Sequence, residues 1–163
     1  PAMSEHVTRR PPAEEYPAMG KHYDDPRMHT AEHVLNSVMV RRFGCERCFS
    51  SHINPGKSKC DYHFPRPLEE TERREIEEAV NAVLSTGTPV SEEYMSRKEA
   101  EALFNLARLP ESAGDTLRIV RIGAYDACPC IGLHVRNTEE VGVFRFISHE
   151  WNDGILRVRF KLS

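Results

Sequence analysis

The sequence has no apolar run approaching the ~18 residues of a membrane-spanning helix. Its opening stretch has neither a basic leader followed by an apolar segment nor a small-residue cleavage site. A cytoplasmic (cytosolic) address with no membrane partner is therefore expected. A disulfide framework is missing too: five cysteines are an odd number at irregular spacing, which favours reduced thiols or metal ligands. There is also no surplus of positive charge. Twenty-two basic against 25 acidic residues leave a formal charge of −3, so no broad field draws nucleic acid to the chain. Even residues 108–163 hold only eight Arg or Lys against seven Asp or Glu. An RNA partner would have to be held by a local cluster.

What is present suits a soluble globular domain. The chain is 39% hydrophobic and 29% charged over 163 residues, enough to bury a single core. Residues 1–27 are rich in proline and charge without apolar periodicity, and read as an extended or partly disordered arm. Residues 28–163 form the domain.

From Met28 the spacing of Ala31, Val34, Leu35, Val38 and Met39 predicts a helix to about Phe43, closed by Gly44. Residues 49–53 and 58–64 flank Asn54-Pro55-Gly56-Lys57 and predict a hairpin, with Phe49, Ser51, Ile53, Cys60, Tyr62 and Phe64 on its core face. Ile76, Ala79, Val80, Val83 and Leu84 place the longest helix over about 68–86. A short strand over 89–95 leads to a third helix, capped by Ser96 with Glu99 and running to about Arg108. Strands follow over 117–122, 141–147 and 155–162, the last two joined by Asp153-Gly154. This order predicts an α+β fold, an antiparallel β-sheet with helices packed on it.

His29 and His33 stand four apart in the first helix, so both imidazoles leave the same face. Far along the chain, Cys128-Pro129-Cys130-Ile131-Gly132-Leu133-His134 offers a thiolate and an imidazole after a predicted strand. Zinc favours four N and S ligands, or three plus water when catalytic, so His29, His33, Cys130 and His134 are the candidate metal set.

These motifs resemble the editing domain shared by alanyl- and threonyl-tRNA synthetases and by freestanding alanyl-tRNA editing proteins. The resemblance runs from residue 28 to about 160. It rests on His29-Thr30-Ala31-Glu32-His33-Val34-Leu35, Cys48-Phe49-Ser50-Ser51-His52-Ile53, Lys59-Cys60-Asp61-Tyr62, Cys130 to His134 with Val135, Thr138 and Gly142-Val143-Phe144, and Gly154-Ile155-Leu156-Arg157-Val158. It implies the second-additional-domain fold, a zinc cofactor on the two pairs, and hydrolysis of the ester joining a wrong amino acid to the 3′ end of tRNA. Serine or glycine on tRNA-Ala is the expected substrate, acted on in trans. Leu133 stands where the family has threonine, Ile131 and Ser50 where it has glycine, and Cys48 where glutamine is common, all bearing on which amino acid fits. The glycine-rich barrel of longer editing proteins does not precede the first motif, so recognition of a particular tRNA is expected from elsewhere.

Thr30, beside the first ligand, is expected to hydrogen-bond either a substrate hydroxyl, favouring serine over alanine, or its own helix backbone. Glu32 makes His29-x-x-Glu32-His33 the pattern of an inverted zinc peptidase with glutamate as general base. That enzyme would need a further acidic ligand, for which the second long helix offers Glu69, Glu70, Glu72, Glu75, Glu77 and Glu78. A non-catalytic zinc-binding module could use Cys45-x-x-Cys48 and Cys60-x-x-His63, although Cys60 and His63 point to opposite faces of a strand. Arginines 118, 121, 136, 145, 157 and 159 include possible phosphate contacts, with a solvated strand face as the simpler expectation.

Overall fold

The computed structural model describes residues 25–163. The arm expected over residues 1–27 lies outside the described residues up to residue 24. Asp25 to Arg27 open helix α1, Pro26–Phe43, where the Asp25 carboxylate accepts from the Met28 amide and Pro26 takes the first turn. The helix stops at Gly44, whose φ of 66° lets its amide return to the Val40 carbonyl.

Strands β1 (Ser50–His52) and β2 (Ser58–His63) form the expected hairpin, with Ser51 opposite Cys60. Helix α2 (Glu70–Leu84) follows, held at its start by a reciprocal capping pair of Glu69 and Glu72. Its 15 residues make it shorter than the 18-residue α1, against the expected order of lengths. Strand β3 (Val90–Ser96) runs into helix α3 (Arg97–Leu103), capped by Ser96 as expected but ending well before Arg108 because Phe104 is extended. Strands β4 (Thr116–Ile122) and β5 (Asp126–Pro129) form a second hairpin. Strands β6 (Phe144–Asn152) and β7 (Ile155–Leu162) form a third, turned by Asp153 and Gly154 at φ 48° and 81°.

The fold is α+β and all strand pairs are antiparallel, but the strands make two sheets rather than one: β1-β2-β7-β6 and β3-β4-β5. One face of the larger sheet, with Cys60, Tyr62, Phe144, Leu156, Val158 and Phe160, is buried in a common core with α1 and α2. Phe49, expected there, lies just before β1, is 38% exposed, and stacks on His63 instead. Among the described residues no helix is long and apolar enough to cross a membrane.

Helix α1 is buried over its whole run from Met28 to Met39, polar residues included. The larger sheet and α2 account for its apolar stripe. Its other face carries His29, Thr30, Glu32, His33, Asn36 and Ser37, each at most 5% exposed, so these polar groups need partners inside the protein. The Ser37 hydroxyl donates to the Tyr125 carbonyl at the start of β5, which is how the smaller sheet meets this face.

Candidate metal centre

The buried polar face of α1 meets the loop that leaves β5. One ligand atom from each of His29, His33, Cys130 and His134 lies within 4.8 Å of the others. Edges of a three-histidine, one-cysteine zinc tetrahedron with ~2.0 Å Zn–N and ~2.3 Å Zn–S bonds measure about 3.3–3.5 Å, and Cys130 Sγ stands 3.4 Å from His29 Nε2. The rings of His29 and His134 stack at 4.2 Å, and His33 meets His134 edge-on at 4.4 Å.

The partners of these rings decide their tautomers. Thr30 Oγ1 donates its one proton to the Pro26 carbonyl at 2.9 Å, so towards His134 Nδ1, 3.0 Å away, it acts as acceptor. It also accepts the Val135 amide at 3.2 Å. His134 therefore carries its proton on Nδ1 and a lone pair on Nε2, a buried atom with no hydrogen-bond partner. His29 is arranged likewise: Nδ1 donates to the Leu133 carbonyl at 3.2 Å, leaving Nε2 to face Cys130 Sγ at 3.4 Å. His33 Nδ1 is also buried without a hydrogen bond, 3.7 Å from an Asp126 oxygen whose carboxylate is gripped by Arg47 at 2.6 and 3.3 Å. Unpartnered buried nitrogens cost about 1–3 kcal/mol each, a penalty a metal ion would relieve.

Burial, only partly offset by Glu32, lowers the pKa of His29. Burial first, then the neighbouring rings, drives His33 and His134 well below the ordinary imidazole value. All three are neutral near pH 7, the form that binds a cation. Burial pushes the Cys130 thiol up to about 12, so without an adjacent cation it stays protonated; a bound metal would deprotonate it. The donor set and its protonation are compatible with a metal.

Arg118 on β4 fixes the loop. Its guanidinium is nearly buried and donates to the carbonyls of Cys130, at 2.9 Å, and Gly132. Cys128 stands apart from the ligand group, with its Sγ on the Pro129 carbonyl and its thiol raised by burial to about 11.

A cavity of about 530 Å³ opens against this centre, reached by His29, Glu32, His33 and Cys130. Its lining also includes the stacked Phe49 and His63, and Arg108 from the segment after α3. Ile131 and Cys48 line the cavity, whereas Leu133 and Ser50, two other departures from the family pattern, do not. Thr30 does not line it either. It has no exposed surface, and its hydroxyl donates to the Pro26 carbonyl of its own helix while accepting from His134 Nδ1.

Three buried groups that spacing alone did not unite meet beside the centre: Glu32, Cys48 and Cys60. The Cys48 thiol donates to Glu32 at 3.4 Å, and the other Glu32 oxygen lies 3.6 Å from His29 Nε2. Arg108 stands 3.5 Å from Glu32 and 3.2 Å from Cys48 Sγ. The signal in the sequence was Cys48 at an unusual position; its partner Arg108 carried none.

The two alternative metal arrangements do not assemble. Cys45 donates to the Met39 carbonyl, and Cys60 is buried while His63 is exposed, so the four residues of a zinc module do not converge. The α2 glutamates are engaged elsewhere: Glu70 with Arg73, Glu72 with Arg66, Glu75 with Arg42, and Glu77 with the Phe146 amide. None lines the cavity.

The family profile of the threonyl and alanyl tRNA synthetase second additional domain matches residues 117–159. The chain is 33% identical over 129 residues to an alanine-tRNA ligase of Pseudothermotoga lettingae, covering 78% of this chain and 15% of that protein. It is 33% identical over 138 residues to one from Methanococcus vannielii, covering 82% and 16%. With the chloroplastic/mitochondrial enzyme of Populus trichocarpa it shares 32% over 123 residues, covering 75% and 12%. The chain belongs to the editing-domain family of alanyl and threonyl tRNA synthetases. It spans about one sixth or less of the length of these relatives.

Proposed function

We propose that this chain is a zinc-dependent deacylase that acts in trans on mischarged aminoacyl-tRNA, with serine or glycine on tRNA-Ala as substrate. The observation that carries the reading is the convergence of His29, His33, Cys130 and His134, the first three of which line a 530 Å³ cavity, in a chain of this family.

A zinc ion on these four residues would supply a Lewis acid and lower the pKa of a bound water. The rest follows from the chain's own groups. Thr30 and the Leu133 carbonyl hold His134 and His29 in the tautomers that carry the proton on Nδ1 and the lone pair on Nε2. Arg118 keeps Cys130 in place through two carbonyls of its loop. Glu32 lines the cavity beside His29 and is assigned the movement of protons during ester cleavage. Phe49, His63, Pro110 and Ile131 form a wall that limits water around the acyl group. Cys48 and Ile131 are the departures from the family pattern placed to select the amino acid.

The test is release of serine and glycine from mischarged tRNA-Ala, with zinc measured in the same sample. Release should exceed the buffer rate, stop with a chelator and return with zinc. Hydrolysis of peptides with no release from any aminoacyl-tRNA would replace this reading by the peptidase.

A further inference from the structure

The exposed face of the larger sheet holds a cationic row that the metal centre does not use. Strand alternation puts Cys60 and Tyr62 into the core, so Lys59, Asp61 and His63 of β2 point outward. The register then aligns residues across three strands: His52 of β1 opposite Lys59, and Lys59 opposite Arg159 of β7. One register step further, Lys161 lies opposite Arg145 of β6. A second cavity of about 300 Å³ lies on this row, lined by His52, Lys57, Lys59 and Arg159 together with Asn54 and Ser58.

The charge balance here is unlike that of the whole chain. Asp61 is neutralised by Arg157 at 2.8 and 2.9 Å, which holds its carboxyl below the usual range, and Glu150 is engaged by Arg159 at 2.8 Å. Lys57 and Lys59 form no ion pair among the described residues. The face therefore keeps uncompensated positive charge, although the chain as a whole carries −3.

Position relative to the metal centre gives this row its meaning. His63 lines the catalytic cavity, and Lys59 lies four residues back on the same outward face of β2. At ~3.3 Å per residue the two are about 13 Å apart. That is the length of about four stacked nucleotides at ~3.4 Å each. A strand whose 3′ ester sits in the cavity would carry its preceding phosphates past Lys59 and Lys57.

We infer that the cleft formed by His52, Lys57, Lys59 and Arg159 binds backbone phosphates of the RNA whose esterified 3′ end occupies the metal-side cavity. This rests on the proposed deacylase reading, which it extends from the ester to the polynucleotide. Phosphate contacts carry no sequence information, so the cleft contributes affinity and register rather than choice of tRNA.

The experiment measures binding of uncharged tRNA-Ala by fluorescence anisotropy across salt concentrations, for the full chain, Lys57→Ala/Lys59→Ala, and a control Arg74→Ala. Arg74 is exposed on α2, on the opposite side of the sheet. The double variant should flatten the log–log salt slope by about 1 per lysine, while the control keeps the slope of the full chain. Zinc content should be the same in all three. In deacylation the double variant should raise KM and leave kcat nearly unchanged. Unchanged slope and KM in an active, folded double variant overturn the cleft and leave the deacylase standing. Loss of slope in a chain that binds tRNA but hydrolyses no ester supports the cleft and removes the deacylase. Equal weakening by Arg74→Ala overturns the cleft, because the effect would then be net charge alone, and absence of any tRNA binding by the full chain overturns it as well.

Discussion

Replacing Thr30 by valine separates a ligand-positioning role from a substrate contact. Valine keeps the shape and removes one oxygen, which donates to the Pro26 carbonyl and accepts from His134 Nδ1 and the Val135 amide. Two buried donors are then left without an acceptor, at about 1–3 kcal/mol each, or about 2–6 kcal/mol together. That is tolerable within the ~5–15 kcal/mol stability of an ordinary domain, so a measurable folded fraction is expected. The larger consequence is at the metal. Nothing then fixes the His134 proton on Nδ1, and loss of such an outer partner costs about 10–100-fold in metal affinity. Competitive titration of zinc against a chromophoric chelator, on protein whose fold is checked by circular dichroism, should show that loss for Thr30→Val. Thr30→Ser restores the hydroxyl and should recover most of it. The reasoning fails if Thr30→Val keeps zinc affinity within about twofold of the parent. A shift in preference between serine and alanine esters with intact zinc binding would make Thr30 the substrate contact its position beside His29 first suggested.

Cys130→Ala should lose zinc and deacylation while Cys128→Ala keeps both, because only Cys130 joins the ligand group; equal losses would mean both thiols coordinate. In metal-free protein the three buried imidazoles resist protonation when folded, each with its pKa lowered by burial, but take up protons once unfolded, below the ordinary value of 6.5. Stability should thus be full above that pH and fall below it by up to about 1.4 kcal/mol per pH unit for each imidazole, as urea midpoints would record; a flat midpoint down to pH 5 would refute their burial. Gly142 has φ 90°, and an added Cβ would lie 2.9 Å from the Ser163 carbonyl oxygen. Gly142→Ala should cost about 1–3 kcal/mol in thermal or urea denaturation, and an unchanged midpoint would show that this turn relaxes freely.

Elements whose signals are local were legible. The i, i+4 spacing of His29 and His33, the Gly44 stop and the Asp153-Gly154 turn each depend on residues a few positions apart, and each appears where periodicity and turn chemistry put it. The break into two sheets was not legible, because strand order depends on pairing between distant segments, such as β2 with β7. Phe49 fits an alternating pattern, yet it lies before β1 begins and swings out to stack on His63.

The candidate site divides along the same line. Sequence alone offered the side chains chemically able to hold a metal: residue type, spacing and the family resemblance pointed to His29, His33, Cys130 and His134, while spacing also allowed Cys45, Cys48, Cys60 and His63. Tertiary structure decided that α1 and the loop after β5 touch, that the Thr30 hydroxyl meets His134, and that Glu32, Cys48 and Arg108 come together at the cavity. It also decided that His52, Lys59 and Arg159 lie in one row across three strands of a chain with no basic patch in its sequence. The physical reason is common to all of these. Spacing along a helix or strand follows from backbone geometry, whereas register and packing between elements arise only when the whole core is buried together.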